Sequence, residues 1–237
     1  MNKNNNLVIP LSIIIAGFLI AGAIVFSNKS QKTNDTNPTT QVSPTKTEIK
    51  KVSSDDFLLG NPGAKIVVVE YSDLQCPYCQ QFHTTMEKIM DEYGKDGKVA
   101  WVYRHYWAVR KTSDGQIFHP LGGKSAEAAE CVAELGGKEK FWSFAQNIFA
   151  DINTQQDKLT KLPDIAKSVG VDVDAFNKCL GSGKYTNKIQ TSFDEGNKAG
   201  VSGTPSSFLV TKDGTYPVEG AVPYEEFKKI IESILNK

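Results

Sequence analysis

Between Leu7 and Phe26 the chain runs twenty residues, LVIPLSIIIAGFLIAGAIVF, without a charge. A helix of that length, at about 1.5 Å per residue, spans about 30 Å, the thickness of a bilayer's hydrocarbon core. The run exceeds the roughly 7–15 apolar residues of a cleaved signal peptide, and it continues past Ala21, Gly22 and Ala23, where small residues would permit cleavage. The pattern therefore predicts a retained transmembrane signal-anchor at 7–26, behind a short N-terminus at 1–6. Lys3 precedes the span and Lys29 and Lys32 follow it, so flanking charge leaves the orientation open. Residues 27–56 are rich in Thr, Ser, Asn, Lys and Pro and nearly devoid of large apolar side chains. Such a stretch cannot bury enough surface to fold and predicts a disordered polar linker. About 30 flexible residues reach roughly 30 Å.

From residue 57 onward periodic patterns replace this. Ile66 to Tyr71 is apolar on both faces except at Glu70, the signature of a central strand covered on both sides. Cys79, Phe82, Met86, Ile89, Met90 and Tyr93 then recur at three and four residues until Gly94, which predicts an amphipathic helix opening near Pro77. Lys98 to Trp107 returns to strand character and completes a βαβ unit. Between about 115 and 200 the chain reads as consecutive helical segments separated by Gly136–Gly137, Gly170 and the GSG of residues 181–183. SSFLVTKDGTYPV then predicts a hairpin turning at Asp213–Gly214, and Tyr224 to Leu235 a closing amphipathic helix. The predicted fold class is α/β, with a βαβ half, an all-helical insertion and a ββα half over residues 57–237.

Composition sharpens this in one respect. Lysine plus arginine and aspartate plus glutamate number 27 each, so no basic field speaks for nucleic acid. A domain of about 180 residues buries a real core without disulfide staples. The four cysteines are therefore candidates for chemistry.

Two of them form Cys76–Pro77–Tyr78–Cys79 at the predicted start of the first helix. Unpaired backbone N–H groups and the positive end of the helix dipole favour a thiolate there, making the first sulfur a good leaving group and an accessible electrophile once oxidised. Cys76 is expected at the exposed end, and Cys79, one turn in, as the shielded resolving thiol. Pro77 at the first helical position lacks only an N–H that would be unpaired anyway. A metal site would need a second ligand pair at short spacing, whereas Cys131 and Cys179 stand alone. His83, four residues after Cys79, reads as a surface or packing residue. A structural disulfide across two residues closes too small a loop to stabilise much. Glu70, six residues before Cys76, would have a raised pKa if buried and could pass protons to the inner thiol; a strand-end glutamate turned to solvent is the alternative. Thr204–Pro205, just before a predicted strand, is a candidate cis peptide.

Together VVEYSDLQCPYC, the helical AAECVAE and FNKCLGSGKY, GVSGTP and GAVPYEEF resemble the thioredoxin superfamily, and within it the DsbA-like family of extracytoplasmic thiol–disulfide oxidoreductases. The resemblance covers about residues 57–237, and the combination is specific, whereas CPYC alone also occurs in glutaredoxins and some isomerase-type relatives. It implies a thioredoxin fold with a helical insertion, Cys76 as the attacked sulfur, Cys79 as the resolving one and Glu70 as the buried acid. It makes Thr204–Pro205 a cis peptide that faces the pair and holds the client. It further implies reduced client polypeptides as substrates, a quinone-linked membrane protein as reoxidant, no cofactor or metal, and a monomer anchored in the cell membrane with the domain outside. Cys131 and Cys179, at similar apolar positions of insertion helices, are predicted to form a structural disulfide, with two buried free thiols as the alternative. Tyr78 departs from the strongly oxidising members, which carry histidine there. Without that positive charge the pair is expected to be less oxidising, so reductase or isomerase action is the rival reading. A non-enzymatic tethered binding module, which would need neither Cys76 nor Cys79, is a further rival.

Overall fold

The computed structural model describes residues 47–107, 110–111, 117–150 and 161–237. The span expected at 7–26 and the linker up to residue 46 lie outside these. No helix among the described residues is long and apolar enough to cross a membrane.

Among the described residues, seven strands and seven α-helices follow one another. The first half holds β1 (Phe57–Leu59), β2 (Ile66–Ser72), α1 (Pro77–Ile89), which runs on as a π-helical turn over Met90–Gly94, and β3 (Val99–His105). A short hairpin, β4 (Arg110–Lys111) and β5 (Ile117–Phe118), leads into the insertion. The insertion consists of α2 (Gly122–Gly136), α3 (Lys138–Ala150), α4 (Leu162–Ser168), α5 (Val173–Ser182) and α6 (Thr186–Lys198). The second half is β6 (Ser206–Thr211), β7 (Gly214–Glu219) and α7 (Tyr224–Leu235). The main sheet has the order β1-β3-β2-β6-β7, with β2 and β3 parallel and the other pairs antiparallel. This is the βαβ and ββα arrangement with a helical insertion that the sequence predicts.

The apolar run of β2 requires cover on both faces, and it receives it. Ile66 and Val68 face the larger core, where they join Phe82 and Met86 of α1, Phe227 and Ile231 of α7, and Phe141 and Phe144 of the insertion. Val69 and Tyr71 face a smaller cluster containing Val102, Tyr106, Ala199, Val201 and Phe208. Successive strand residues alternate between faces, so Glu70 falls on the side of Val68, under α1 and the insertion.

Three details differ from the sequence reading. The folded part begins before residue 57: Ile49 and Val52 pack against the smaller cluster. Asp56 binds the Arg104 guanidinium through Oδ1 to Nε at 2.8 Å and Oδ2 to Nη2 at 3.1 Å. A charged pair bound on both oxygens holds this segment where apolar content alone predicts none. The hairpin turns at Lys212–Asp213, one residue earlier than expected, and Gly214 already pairs with Thr211. Finally β1 is too short to show a period in the sequence; Phe57 anchors it by stacking on Phe141 with centroids 3.6 Å apart.

Cys131 of α2 and Cys179 of α5 are joined by a disulfide, with Cα atoms 5.9 Å apart. The two predicted insertion helices are thus bonded through cysteines 48 positions apart in the sequence.

Candidate active site

The site grows from the turn between β2 and α1. The Asp73 side chain accepts from the Gln75 N–H at 2.8 Å, and the Cys76 N–H donates to the Asp73 carbonyl at 3.0 Å. Asx turns of this kind reverse the chain locally. Cys76 is the extended N-cap residue of α1, with Pro77 at the first helical position. The helix's unpaired N–H groups therefore open toward the Cys76 sulfur.

The two thiols are free and unequal. A hydrogen bond from Cys79 lowers the Cys76 pKa to about 6 against the effect of burial, helped by Thr204 and by the N–H groups of Cys79 and Tyr78. Burial raises the Cys79 thiol well above its ordinary value, and the charges of Cys76 and Glu70 add to this. Cys76 is therefore the more acidic of the two thiols, but it lacks the exposure expected of it. Cys76 is only 3% exposed. The cis Thr204–Pro205 peptide lies against it, with the Cys76 thiol donating to the Thr204 carbonyl at 3.5 Å. The sulfur meets solvent through a cavity of about 370 Å³ lined by Asp73, Cys76, Tyr78, Phe118, His119 and Thr204 among others. Tyr78 is 61% exposed at its rim.

Glu70 is buried, and the Trp101 indole N–H donates to its Oε2 at 2.9 Å. Burial pushes its carboxyl up from 4.5 to about 7. Its Oε1, the Ser72 hydroxyl and the Tyr103 hydroxyl have no hydrogen-bond partner among the described residues. Glu70 and Tyr103 are paired across β2 and β3. The solvent-turned alternative for Glu70 is thus replaced by a buried acid with one oxygen unengaged. His83 is also buried, packed between the rings of Trp101 and Phe149 at 4.9 Å each, and burial lowers its pKa to about 4.

Two residues that the sequence reading passed over complete the site. His119 Nδ1 lies 2.8 Å from Asp73 Oδ2, so an imidazole from beyond β5 stands at the mouth of the cysteine pair. Trp107 holds this turn: its Nε1 donates to the His119 carbonyl at 2.8 Å. Gly122 and Gly123 open α2 against the same indole. A Cβ at either position would fall 2.2 Å and 2.7 Å, respectively, from Trp107 ring atoms, so the close approach requires glycine. The sequence holds no spacing signal for a contact between Asp73 and His119, which meet only because the insertion folds back on the first half.

The arrangement suits thiol–disulfide exchange. A low-pKa sulfur faces a cavity, a high-pKa sulfur lies behind it, and a buried acid is close enough for its charge to act on the inner thiol.

Comparison with known proteins agrees with this geometry. Residues 52–233 match a sequence model of a thioredoxin family, Thioredoxin_4. A protein of Rickettsia felis assigned as a protein-disulfide oxidoreductase is 27% identical over 212 residues, 84% of this chain and 71% of that one. The Na(+)/H(+) antiporter NhaA 3 of Salinispora tropica is 31% identical over 168 residues, which are 69% of this chain but only 23% of the antiporter. The crystal structure of alpha-DsbA1 from Wolbachia pipientis shares the fold with a TM-score of 0.67 at 27% identity, covering 81% of this chain and 96% of that one. The family match runs from Val52, in the segment packed ahead of β1, into the last helix, and encloses the cysteine pair, Glu70 and the cis-proline. The chain therefore belongs to this thioredoxin family.

Proposed function

We propose that the protein is a DsbA-like thiol–disulfide oxidoreductase that introduces disulfides into client polypeptides outside the cytoplasm. The observation that carries this reading is the Cys76 sulfur at a helix N-terminus, facing the Thr204 carbonyl beside an open cavity, with Cys79 sealed behind it. In the oxidised protein a client thiolate attacks Cys76 Sγ, and the electron pair of the broken S–S bond passes to Cys79. The thiol of Cys79 holds its proton strongly, so the departing sulfur is protonated at once, with Glu70 as the nearby buried donor. A second client thiolate then attacks the client's own sulfur in the mixed disulfide and expels Cys76 as a thiolate, the better leaving group of the two. Two client thiols become one disulfide and the enzyme pair gains two electrons. The segment at Thr204 offers strand-like hydrogen bonds to the client backbone. Exposed Tyr78 and Phe118 offer aromatic surface beside it.

The Rickettsia relative's name and the likeness to alpha-DsbA1 support the activity. The anchor at 7–26 and the outward placement of a monomeric domain extend this reading, as does reoxidation by a quinone-linked membrane protein, which the sequence resemblance implies. A reductase or isomerase is the second reading, favoured by Tyr78, which supplies no positive charge. Equilibration with glutathione buffers separates the two. A potential nearer −120 mV, about that of a strong oxidant, supports the proposal; one near −270 mV, about that of thioredoxin, overturns it in favour of reduction.

A further inference from the structure

Position 78 carries no cation, yet the structure places an imidazole beside Cys76 by another route. His119 and Cys76 line the same cavity with Asp73, and the histidine's position there is over-determined. His119 has φ +54°, in the left-handed region that a non-glycine side chain seldom adopts. Strain of this kind persists only where surrounding contacts enforce it, and such sites gather where function needs a fixed geometry. Here the contacts are explicit. Trp107 Nε1 and the Gly122 N–H both donate to the His119 carbonyl, at 2.8 and 3.1 Å. The Leu121 N–H donates to Gln75 Oε1 at 2.7 Å. Gln75 in turn donates its N–H to Asp73, whose other oxygen meets the imidazole. The turn is thus tied to Asp73 and Gln75, just before Cys76, and the ring is stacked on Phe118 with centroids 4.0 Å apart.

We propose that His119, held by Asp73, is the cationic partner of the Cys76 thiolate, taking over from the insertion the electrostatic role that Tyr78 cannot fill. This rests on Cys76 being the attacked sulfur. Asp73 alone, as a carboxylate close to Cys76, would oppose a second negative charge on the sulfur; the imidazolium cancels that opposition. The histidine is mostly shielded, its side chain only 15% exposed, so its charge is screened less than a surface cation's. Burial pushes the imidazole pKa down, but the hydrogen bond and charge of Asp73, together with Cys76, outweigh it and hold the group above its ordinary 6.5. Among the described residues, the ionisable groups that line the cavity with His119 are Asp73, Cys76, Tyr78 and Tyr106. An imidazolium that stabilises the thiolate stabilises the reduced pair. His119 would therefore make the protein more oxidising than its CPYC sequence alone indicates.

The test uses the full chain in two measurements. First, the Cys76 thiolate is titrated by its ultraviolet absorbance, and the pair is equilibrated with reduced and oxidised glutathione, in the wild type and in His119→Gln. The proposal expects the Cys76 pKa to rise by about half to one unit in the variant. It also expects a three- to tenfold loss in the equilibrium constant for the reduced pair, about 15–30 mV toward a more reducing potential. Second, the His119 imidazole is titrated by nuclear magnetic resonance in wild-type protein, reduced and oxidised. Coupling is reciprocal, so its pKa must be higher when the thiolate is present. This arm needs no variant to fold, and a merely structural histidine would not produce the difference. An unmoved Cys76 titration in a folded His119→Gln protein, or a His119 titration identical in both redox states, overturns the proposal. Failure of Cys76 and Cys79 to form a disulfide in any glutathione buffer would instead overturn the oxidoreductase reading beneath it.

Discussion

Cys76 and Cys79 are the same side chain three positions apart, and their difference lies in what surrounds each. Helix-end N–H groups and the Cys79 thiol favour charge on the first, whereas burial disfavours it on the second. Cys79→Ser is therefore expected to accumulate mixed disulfides at Cys76 when its thiolate attacks disulfide-bearing clients, visible on non-reducing gels, and Cys76→Ser to accumulate none. Glu70 gives a pH signature. Its native pKa of about 7 lies above the ordinary 4.5, so its contribution is intact below pH 4.5 and is lost as pH rises through 7. That difference amounts to roughly 3 kcal/mol. Glu70→Gln should match the pH trend of the wild type below pH 4.5 and gain on it progressively up to about pH 7, by urea unfolding at each pH; parallel curves would mean that Glu70 is not buried in its neutral form. Much of this was readable beforehand, because one carboxylate in an apolar run and two cysteines behind a proline each break a local pattern for which chemistry is the ready explanation. The part of the cover that His119 supplies was not readable, since it reaches Cys76 from a remote part of the chain, and Thr204 was placed there only by the family resemblance.

Elements with a strong period announce themselves, and those held by pairwise contacts do not. The insertion helices were recoverable from spacing alone, and glycines marked their separations. The strand β1 and the segment before it were not, because Phe57 owes its place to Phe141 and Asp56 owes its place to Arg104. Asp56→Ala leaves a buried guanidinium with its carboxylate removed and should cost about 3–5 kcal/mol in unfolding free energy. A loss under 1 kcal/mol would show that the pair behaves like an exposed one. The bond between α2 and α5 closes a loop spanning 48 positions, for which chain entropy gives about 4 kcal/mol. Replacing both Cys131 and Cys179 by alanine should lower stability by roughly 2–4 kcal/mol, while the rate of exchange at Cys76 stays within about twofold. A matching fall in exchange rate would tie this disulfide to the chemistry.

The molecule as a whole joins two halves of a sheet around a helical insertion, and the site forms where all three meet. β2 and α1 bring Glu70, Cys76 and Cys79, the loop before β6 brings Thr204–Pro205, and the approach to α2 brings His119. Such convergence explains why the reaction class was legible in one short motif while the setting of its potential was not: the motif is local and its electrostatics are assembled. If the domain is tethered outside the membrane, as proposed, a membrane-impermeant reagent applied to intact cells labels surface lysines of the domain; labelling only after lysis would reverse the topology. The decisive experiment mixes oxidised protein with a reduced dithiol peptide at equal concentration and maps disulfides after acid quenching. Transfer of one disulfide to the peptide, with Cys76 and Cys79 recovered as thiols and a transient peptide adduct on Cys76, is the predicted result. A peptide that stays reduced beside an intact Cys76–Cys79 bond, or one that is oxidised equally well by the Cys76→Ser protein, would contradict it.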